Sequence, residues 1–408
     1  PIVMYFPYPS VGGVSVLFLR VAKLLKDSRR VIIMDLADGF MARNLPERVE
    51  FIAHDAKHMV PRDAVVVFQA CFPWTVSTID QFPRTAKLLF WHLHPDNYLP
   101  FFFYKYRDTP SPSCFSGIVS FLRFRKAKSL LCDLLSKSAL FFMDGPNFKS
   151  TMRYFNLPEK KPQYLKIFTD SKCEKKTSAA KLASTDGKIR LGWLGRVEDF
   201  KTPILLHTLE RLSSLSGISF SMTIVGQGSG LDEIRNFSRR NPEMEVSVVG
   251  EINYEDIPER LAGIDILFAM GASALEGAKA GIPTIALDYS FKEISGLYKF
   301  ELIYEKEEFS IGEKIGTELL EGACTLQDLL LGICKDYQSY SEKCYDYWLM
   351  NFSPEVFQPK FFDAINETNY TFADLIKSKM HKADLFTKVL SRLRRILGRE
   401  TVKEGWNY

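Results

Sequence analysis

Three segments of the chain carry residue types that together can hold a phosphate-bearing group and stabilise its departure. The first is Leu194-Gly195-Arg196-Val197-Glu198-Asp199-Phe200-Lys201. Here a strand ends in Gly195, and two cations five positions apart, Arg196 and Lys201, precede a helix that opens near Pro203. A phosphate leaving group gains negative charge in the transition state, and cations with helix-end N–H groups stabilise that charge without a metal. Taken alone, the octapeptide also reads as two solvated charges beside a strand. The second segment, Thr223 to Gly230, is a strand running into Gly226-Gln227-Gly228 and then a helix. Glycine lets a backbone approach a phosphate or a base because no Cβ intervenes, although such a turn is also a plain strand-to-helix connection.

The third segment is the most informative. Gly271-Ala272-Ser273-Ala274-Leu275-Glu276-Gly277-Ala278-Lys279-Ala280-Gly281-Ile282-Pro283 starts at a strand end and continues as a helix of small residues. Small side chains such as Ala272 and Ser273 let a ligand come close to the helix N-terminus, where N–H groups hold phosphate. Glu276, one turn in, is placed to accept both hydroxyls of a ribose; the plain alternative is an exposed helix charge.

In the N-terminal half, Pro9-Ser10-Val11-Gly12-Gly13 forms a turn ahead of an apolar helix. Phe90-Trp91-His92-Leu93-His94-Pro95 sets two histidines at a strand end. Strand alternation puts His92 and His94 on the same side, so either one is a candidate and either one alone also reads as a hydrogen-bonded core residue. Asp144 opens a helix and reads first as its N-cap. His54, His58, His207 and His381 have no constellation around them.

The elements that carry these segments follow a βαβ rhythm. In the first half strands are expected at Ile2–Phe6, Val31–Asp35, Ala64–Gln69, Lys87–Trp91 and Ala139–Met143, with helices over Val14–Lys26 and Ser120–Ser136. A polar stretch from Asp170 to Lys188 reads as a linker. Beyond it, strands are expected at Ile189–Leu194, Ser219–Val225, Glu245–Val248, Asp265–Phe268 and Thr284–Leu287. Helices fit Pro203–Ser214, Leu231–Arg239, Tyr254–Leu261 and Ala272–Ala280. This predicts an α/β chain of two doubly wound, Rossmann-like domains facing across a cleft, with C-terminal helices. The expected boundaries are 1–168, a linker 169–188, a second domain 189–345, crossover helices 346–376 and a basic tail 377–408.

Composition agrees with this picture. The chain has 408 residues, 46% apolar and 25% charged, ample for two cores and unlike a disordered protein. No apolar run reaches the roughly 20 residues that span a bilayer, and Ile2 to Pro9 does not read as a signal peptide. Seven scattered cysteines form no C-x-x-C pair and suggest reduced thiols in the cytoplasm. Residues Lys377 to Lys403 hold nine Lys/Arg against two acids, so the basic charge sits in the tail and the rest is slightly acidic. That distribution argues against a general nucleic-acid surface.

Taken in order, the three donor-type segments resemble the donor domain of glycosyltransferase family 4, the large group of GT-B enzymes, over most of Lys188 to Asp288. The resemblance implies transfer of a hexose-type sugar from a nucleotide-sugar such as a UDP- or GDP-sugar to a hydroxyl, with retained anomeric configuration and no metal or other cofactor. Arg196 and Lys201 match the family's cations on the donor diphosphate, beside Gly195, and Glu276 matches its ribose-binding glutamate. Gly226 to Gly228 match the turn near the nucleotide. Gly12 and Gly13 resemble the family's first Gly-rich loop, and a histidine at the strand end, His94 in preference to His92, stands near the sugar. One departure is clear. The family often carries E-x7-E, and eight positions before Glu276 stands Phe268, with Met270-Gly271-Ala272-Ser273 in place of a longer loop.

In the tail, Phe386, Val389, Leu390, Leu393 and Leu397 recur at helical spacing beside Lys388, Arg392, Arg395 and Arg399. A basic amphipathic helix is suited to an anionic membrane surface; the alternative is a helix packed on the N-terminal domain. The aromatic run Phe101 to Tyr106 and the basic stretch Arg123 to Lys128 are candidates for the same face. A lipid-linked glycan acceptor at the inner face of the cell membrane, in bacterial lipopolysaccharide or capsule synthesis, would fit. Two rival readings are a sugar-nucleotide epimerase and a non-catalytic GT-B-like partner subunit.

Overall fold

A computed structural model describes residues 1–56, 59–76, 78–95, 97–98, 114–170, 188–215, 217, 219–316 and 325–382. They fall into two compact units, Pro1–Ile167 with residues from Phe357 onward, and Phe168–Val356. The aromatic run, most of the polar linker stretch, His58 and the tail stripe from Phe386 to Arg399 lie outside the described residues.

The first unit runs β1 (Ile2–Tyr5), α1 (Gly13–Leu25), β2 (Val31–Asp35), α2 (Phe40–Arg43), β3 (Glu50–Ala53), β4 (Val65–Gln69), β5 (Lys87–His92), α3 (Cys114–Ser136), β6 (Leu140–Phe142) and α4 (Gly145–Phe155). All six strands are parallel, in the order β3-β2-β1-β4-β5-β6. The strands β1, β2 and β6 are buried throughout, as the apolar runs of a sheet covered on both faces require. Helix α1 buries Leu17, Phe18, Val21, Ala22 and Leu25, the one-sided spacing of an amphipathic helix. Phe68 stacks on Phe90 at 5.3 Å in the core, and each such fully buried ring contributes about 1.5–3 kcal/mol.

Two of these elements escape the sequence pattern. Strand β3 is an edge strand whose only buried side chain is Ile52, so it has too little periodicity to read. Helix α2 is a single turn held from outside. The buried Asp35 carboxylate accepts the N–H groups of Met41 and Ala42 through Oδ2, and those of Tyr8 and Leu36 through Oδ1. Helix α3 also begins earlier than expected, at Cys114.

The second unit comprises β7 (Ile189–Leu194), α5 (Thr202–Ser213), β8 (Phe220–Val225), α6 (Leu231–Arg240), β9 (Glu245–Gly250), α7 (Ile257–Ala262), β10 (Ile266–Ala269), α8 (Ala272–Lys279), β11 (Thr284–Ala286), α9 (Leu326–Lys335) and α10 (Tyr337–Phe352). Its five parallel strands lie in the order β11-β10-β7-β8-β9. The helix expected over Tyr254–Leu261 is a 3-10 turn, Tyr254–Asp256, followed by α7. Pro258 lacks an N–H and sits in the first turn of α7, where proline is tolerated.

Each sheet therefore starts in its middle and grows first to one side, then to the other. This makes a switch point between β1 and β4 in the first unit and between β7 and β10 in the second. In the second, Arg190 locks the pair: its guanidinium donates to both carboxylate oxygens of buried Asp265, at 2.9 and 2.5 Å. Helix α10 backs the same region, with the Ser341 hydroxyl donating to the Gly281 carbonyl at 2.5 Å.

After α10 the chain continues as α11 (Pro354–Glu367) and α12 (Phe372–Lys377), crossing into the first unit at Phe357. There Phe357 stacks on Trp91 at 5.7 Å, and Leu88 donates its N–H to the Tyr370 carbonyl. No described helix is long and apolar enough to cross a membrane.

Candidate functional site

In an open parallel sheet, ligands bind beyond the carboxyl ends of the strands at the switch point. In the second unit the two segments singled out for chemistry leave β7 and β10, the strands that flank that point. Gly195 follows β7 with φ +146°, a conformation that favours glycine. A Cβ built on it would stand 3.6 Å from the Lys201 ammonium and 3.7 Å from the Ser273 hydroxyl. Residues six and seventy-eight positions away in the chain thus converge on one bare stretch of backbone.

Lys201 is the N-cap residue of α5 and makes no ion pair among the described residues. It is half-buried, and burial, reinforced by the neighbouring Arg196 charge, pushes its pKa down to about 8. Arg196 is exposed and also has no ion-pair partner among the described residues. Two cations held close together, with neither in an ion pair among the described residues and Glu198 only a lesser opposing charge on Lys201, favour an anion.

The turn at Gly226 and Gly228 is close-packed, but against protein. A Cβ at Gly226 would overlap the Gly195 carbonyl, and one at Gly228 the Val197 carbonyl. Val197 donates to the Gln227 carbonyl and Gly230 to the Val197 carbonyl, both at 2.9 Å. The closeness read from these glycines is therefore between the turn and the Gly195–Val197 backbone, which the turn supports.

Helix α8 starts after Gly271, with φ +64°, and no described side chain caps this end. Ala272 is exposed and Ser273 partly so, whereas Ala274, Gly277 and Ala278 are buried. The small residues thus divide their work. Gly277 has no room for a Cβ beside Leu267 and Thr284, so it serves helix-to-sheet packing, while Ala272 and Ser273 leave the N-terminus open.

Glu276 is 4% exposed, which removes the reading of it as an exposed helix charge. Its Oε2 lies 2.6 Å from the Lys279 ammonium and its Oε1 accepts from the Tyr254 hydroxyl at 2.8 Å. Sequence reading missed both partners. The i,i+3 spacing of Glu276 and Lys279 on one helix was a usable signal for the first, whereas Tyr254 comes from the turn after β9 and has no local signal. Phe268 is a fully buried residue of β10, and only Met270 and Gly271 connect β10 to α8. No loop is present there to carry another carboxylate.

In the first unit, Gly12 is the N-cap residue of α1, and its N–H and carbonyl both bond the Ser15 hydroxyl at 2.9 Å. A Cβ on Gly13 would meet nothing within 4 Å, so this helix start is open. The two histidines do not share a side, because β5 ends at His92 and alternation does not continue past it. His92 is fully buried, with Nδ1 3.1 Å from Asn147 Oδ1 and Nε2 3.2 Å from Thr151 Oγ1. Burial drives its pKa down to about 3. His92 thus has the geometry of its alternative reading, a hydrogen-bonded core residue with both ring nitrogens engaged. His94 is exposed, its N–H held by Asn97 Oδ1 at 2.9 Å. Asp144 caps α4 by accepting the Asn147 N–H at 2.9 Å. Among the described residues, no cluster of three or more His, Cys, Asp or Glu is placed to hold a metal ion.

No protein-family model matches the chain, and no curated protein sequence matches it. Solved structures do resemble it. A glycosyltransferase from Rickettsia africae ESF-5 gives a TM-score of 0.56 at 16% identity, over 90% of this chain and 98% of that one. Anabaena HepE, crystallised with UDP and glucose, gives 0.55 at 14% identity, over 90% and 99% of the two chains. The lipopolysaccharide outer core galactosyltransferase WaaB, in its apo form, gives 0.56 at 11% identity, again over 90% and 99%. Two parallel Rossmann-like sheets with these neighbours establish that the chain has the GT-B fold that these glycosyltransferases share.

Proposed function

We propose that the protein is a glycosyltransferase that moves a sugar from a nucleotide-sugar donor to a hydroxyl of a glycan acceptor. The observation that carries this reading is the meeting of the Lys201 ammonium and the Ser273 hydroxyl over Gly195, at the switch point of the second sheet. Arg196 and Lys201 would bind the donor diphosphate and stabilise the charge that develops on it as the glycosidic bond breaks. The start of α8, at Ala272 and Ser273, would add N–H groups and a hydroxyl to the same phosphates. Glu276 would accept the ribose hydroxyls, with Gly195, Gly226 and Gly228 shaping the backbone around the nucleotide. Gly12, Gly13 and His94 would serve the sugar end of the donor.

The cation pair supplies what a divalent metal supplies elsewhere, so the reaction is proposed to be metal-independent. The family resemblance favours retention, with the leaving phosphate taking the acceptor's proton. The acceptor is proposed to be lipid-linked, reached from the inner face of the cell membrane through the basic tail.

A thermal-shift series with nucleoside diphosphates, with and without EDTA, tests the donor site. A ligand that binds only the native state raises its melting temperature. A rise with UDP or GDP that survives EDTA supports the reading. No rise with any nucleotide would favour a second reading, a GT-B-like partner subunit without activity. Fully buried Phe268, where the family often has its first glutamate, motivates that alternative.

A further inference from the structure

We propose that Tyr254 and Lys279 form a clamp that fixes the Glu276 carboxylate for a vicinal diol, so that the site selects a ribonucleoside diphosphate over its deoxy forms. This rests on the donor-site reading given above.

Glutamate's terminal torsion is soft, and a lone carboxylate rotates about it with little resistance. Here each carboxylate oxygen has its own donor: the Lys279 ammonium on Oε2 at 2.6 Å and the Tyr254 hydroxyl on Oε1 at 2.8 Å. The two donors approach from different elements, one from α8 itself and one from the turn after β9. Held at both oxygens, the carboxylate plane cannot turn. A carboxylate offers about four acceptor positions, so two such bonds are compatible with further donors. A ribose presents two adjacent O–H groups, and a carboxylate already oriented for them spends less entropy on binding.

The arrangement goes beyond what a structural ion pair needs. A buried pair gains little over apolar packing of the same volume, and Lys279 is 3% exposed. Yet a second carboxylate has been brought to the same place. Asp170 Oδ1 lies 2.9 Å from the Tyr254 hydroxyl and 3.7 Å from the Lys279 ammonium. The single phenolic proton serves one carboxylate at a time. Tyr254 is partly exposed, so it stands where the buried pair meets solvent.

The test is a calorimetric titration of the full chain with UDP, ADP and GDP, and with the 2′,3′-dideoxy form of whichever binds. The natural protein is expected to bind the ribo form at least about tenfold more tightly, the low end for hydrogen bonds to a charged group. Tyr254→Phe and Lys279→Met are each expected to cut that ratio to within about threefold, weakening only the ribo form, and Lys279→Arg to restore it. An unchanged ratio in folded variants overturns the clamp. So does an equal loss for both forms, since a merely structural pair acts on both alike. Where Lys279→Met does not fold, Tyr254→Phe, which keeps its ring, decides alone. A natural protein that binds ribo and dideoxy forms equally overturns the clamp but leaves the diphosphate reading standing. Absence of any nucleoside diphosphate binding overturns both.

Discussion

Lys201 holds its ammonium 3.6 Å from the point where a side chain on Gly195 would begin, with Ser273 at 3.7 Å from the same point. The bare backbone of Gly195 is thus the floor on which a cation and a hydroxyl meet. Lys201→Ala removes the cation without disturbing an ion pair, because Lys201 makes none among the described residues. Turnover is expected to fall at least about tenfold, the modest end of what losing charge stabilisation costs, with the melting temperature of the free protein unchanged or raised. A variant with natural turnover would remove Lys201 from the reaction.

The same lysine sets a pH limit. Burial and Arg196 bring its pKa down to about 8, so above that pH the free site loses the charge that holds a diphosphate. Affinity for a nucleoside diphosphate is expected to fall as pH rises through about 8, by up to about tenfold per unit. Stability of the unliganded protein follows the opposite sign. Between about 8 and the ordinary lysine range the unfolded chain binds more protons than the native one, so this group's contribution to stability rises with pH. Binding and melting curves from pH 7 to 9.5 should therefore diverge, and Lys201→Arg should remove the divergence. Parallel curves would show that Lys201 is not the titrating group.

The two histidines separate by what each loss costs. His92→Ala leaves a cavity and strips partners from Asn147 and Thr151, which are both buried. A loss of about 2 kcal/mol or more is expected, readable in a denaturant titration. His94→Ala removes an exposed ring and is expected to leave stability within about 0.5 kcal/mol while lowering turnover. If His94→Ala keeps natural turnover, the sugar end of the donor is handled elsewhere.

Most of both sheets was legible because parallel strands buried on both faces read as apolar runs, as in Val31–Asp35 and Ile189–Leu194, whose expected ends coincide with the observed ones. Strand β3 was not, since a four-residue edge strand with exposed Glu50 and Phe51 carries no pattern. Local sequence also gave Gly195, Lys201, Ser273 and Glu276 as candidates, because glycine, a cation or a small residue after a strand has chemical meaning in itself. What it could not give was partnership. Tyr254 reaches Glu276 across 22 positions and Asp170 across 84, and Asp35 shapes the Tyr8 loop across 27. Alternation misplaced His94 for a related reason: it holds only while the strand lasts, and β5 stops at His92.

The tail carries the last prediction. Nine cations against two acids between Lys377 and Lys403, with an apolar stripe alongside, favour an anionic bilayer by about 1 kcal/mol for each Lys or Arg near the surface. Flotation of the full chain with vesicles containing anionic lipid should exceed that of a chain ending at Ala383. Raising the salt should abolish the difference, because the attraction falls off within a Debye length. If both chains float equally, the tail is not the anchor, and the basic stretch Arg123 to Lys128 on α3 becomes the surface to neutralise next. If neither floats, an acceptor held in a membrane loses its support, while the donor site, which owes nothing to the tail, stands on its own tests.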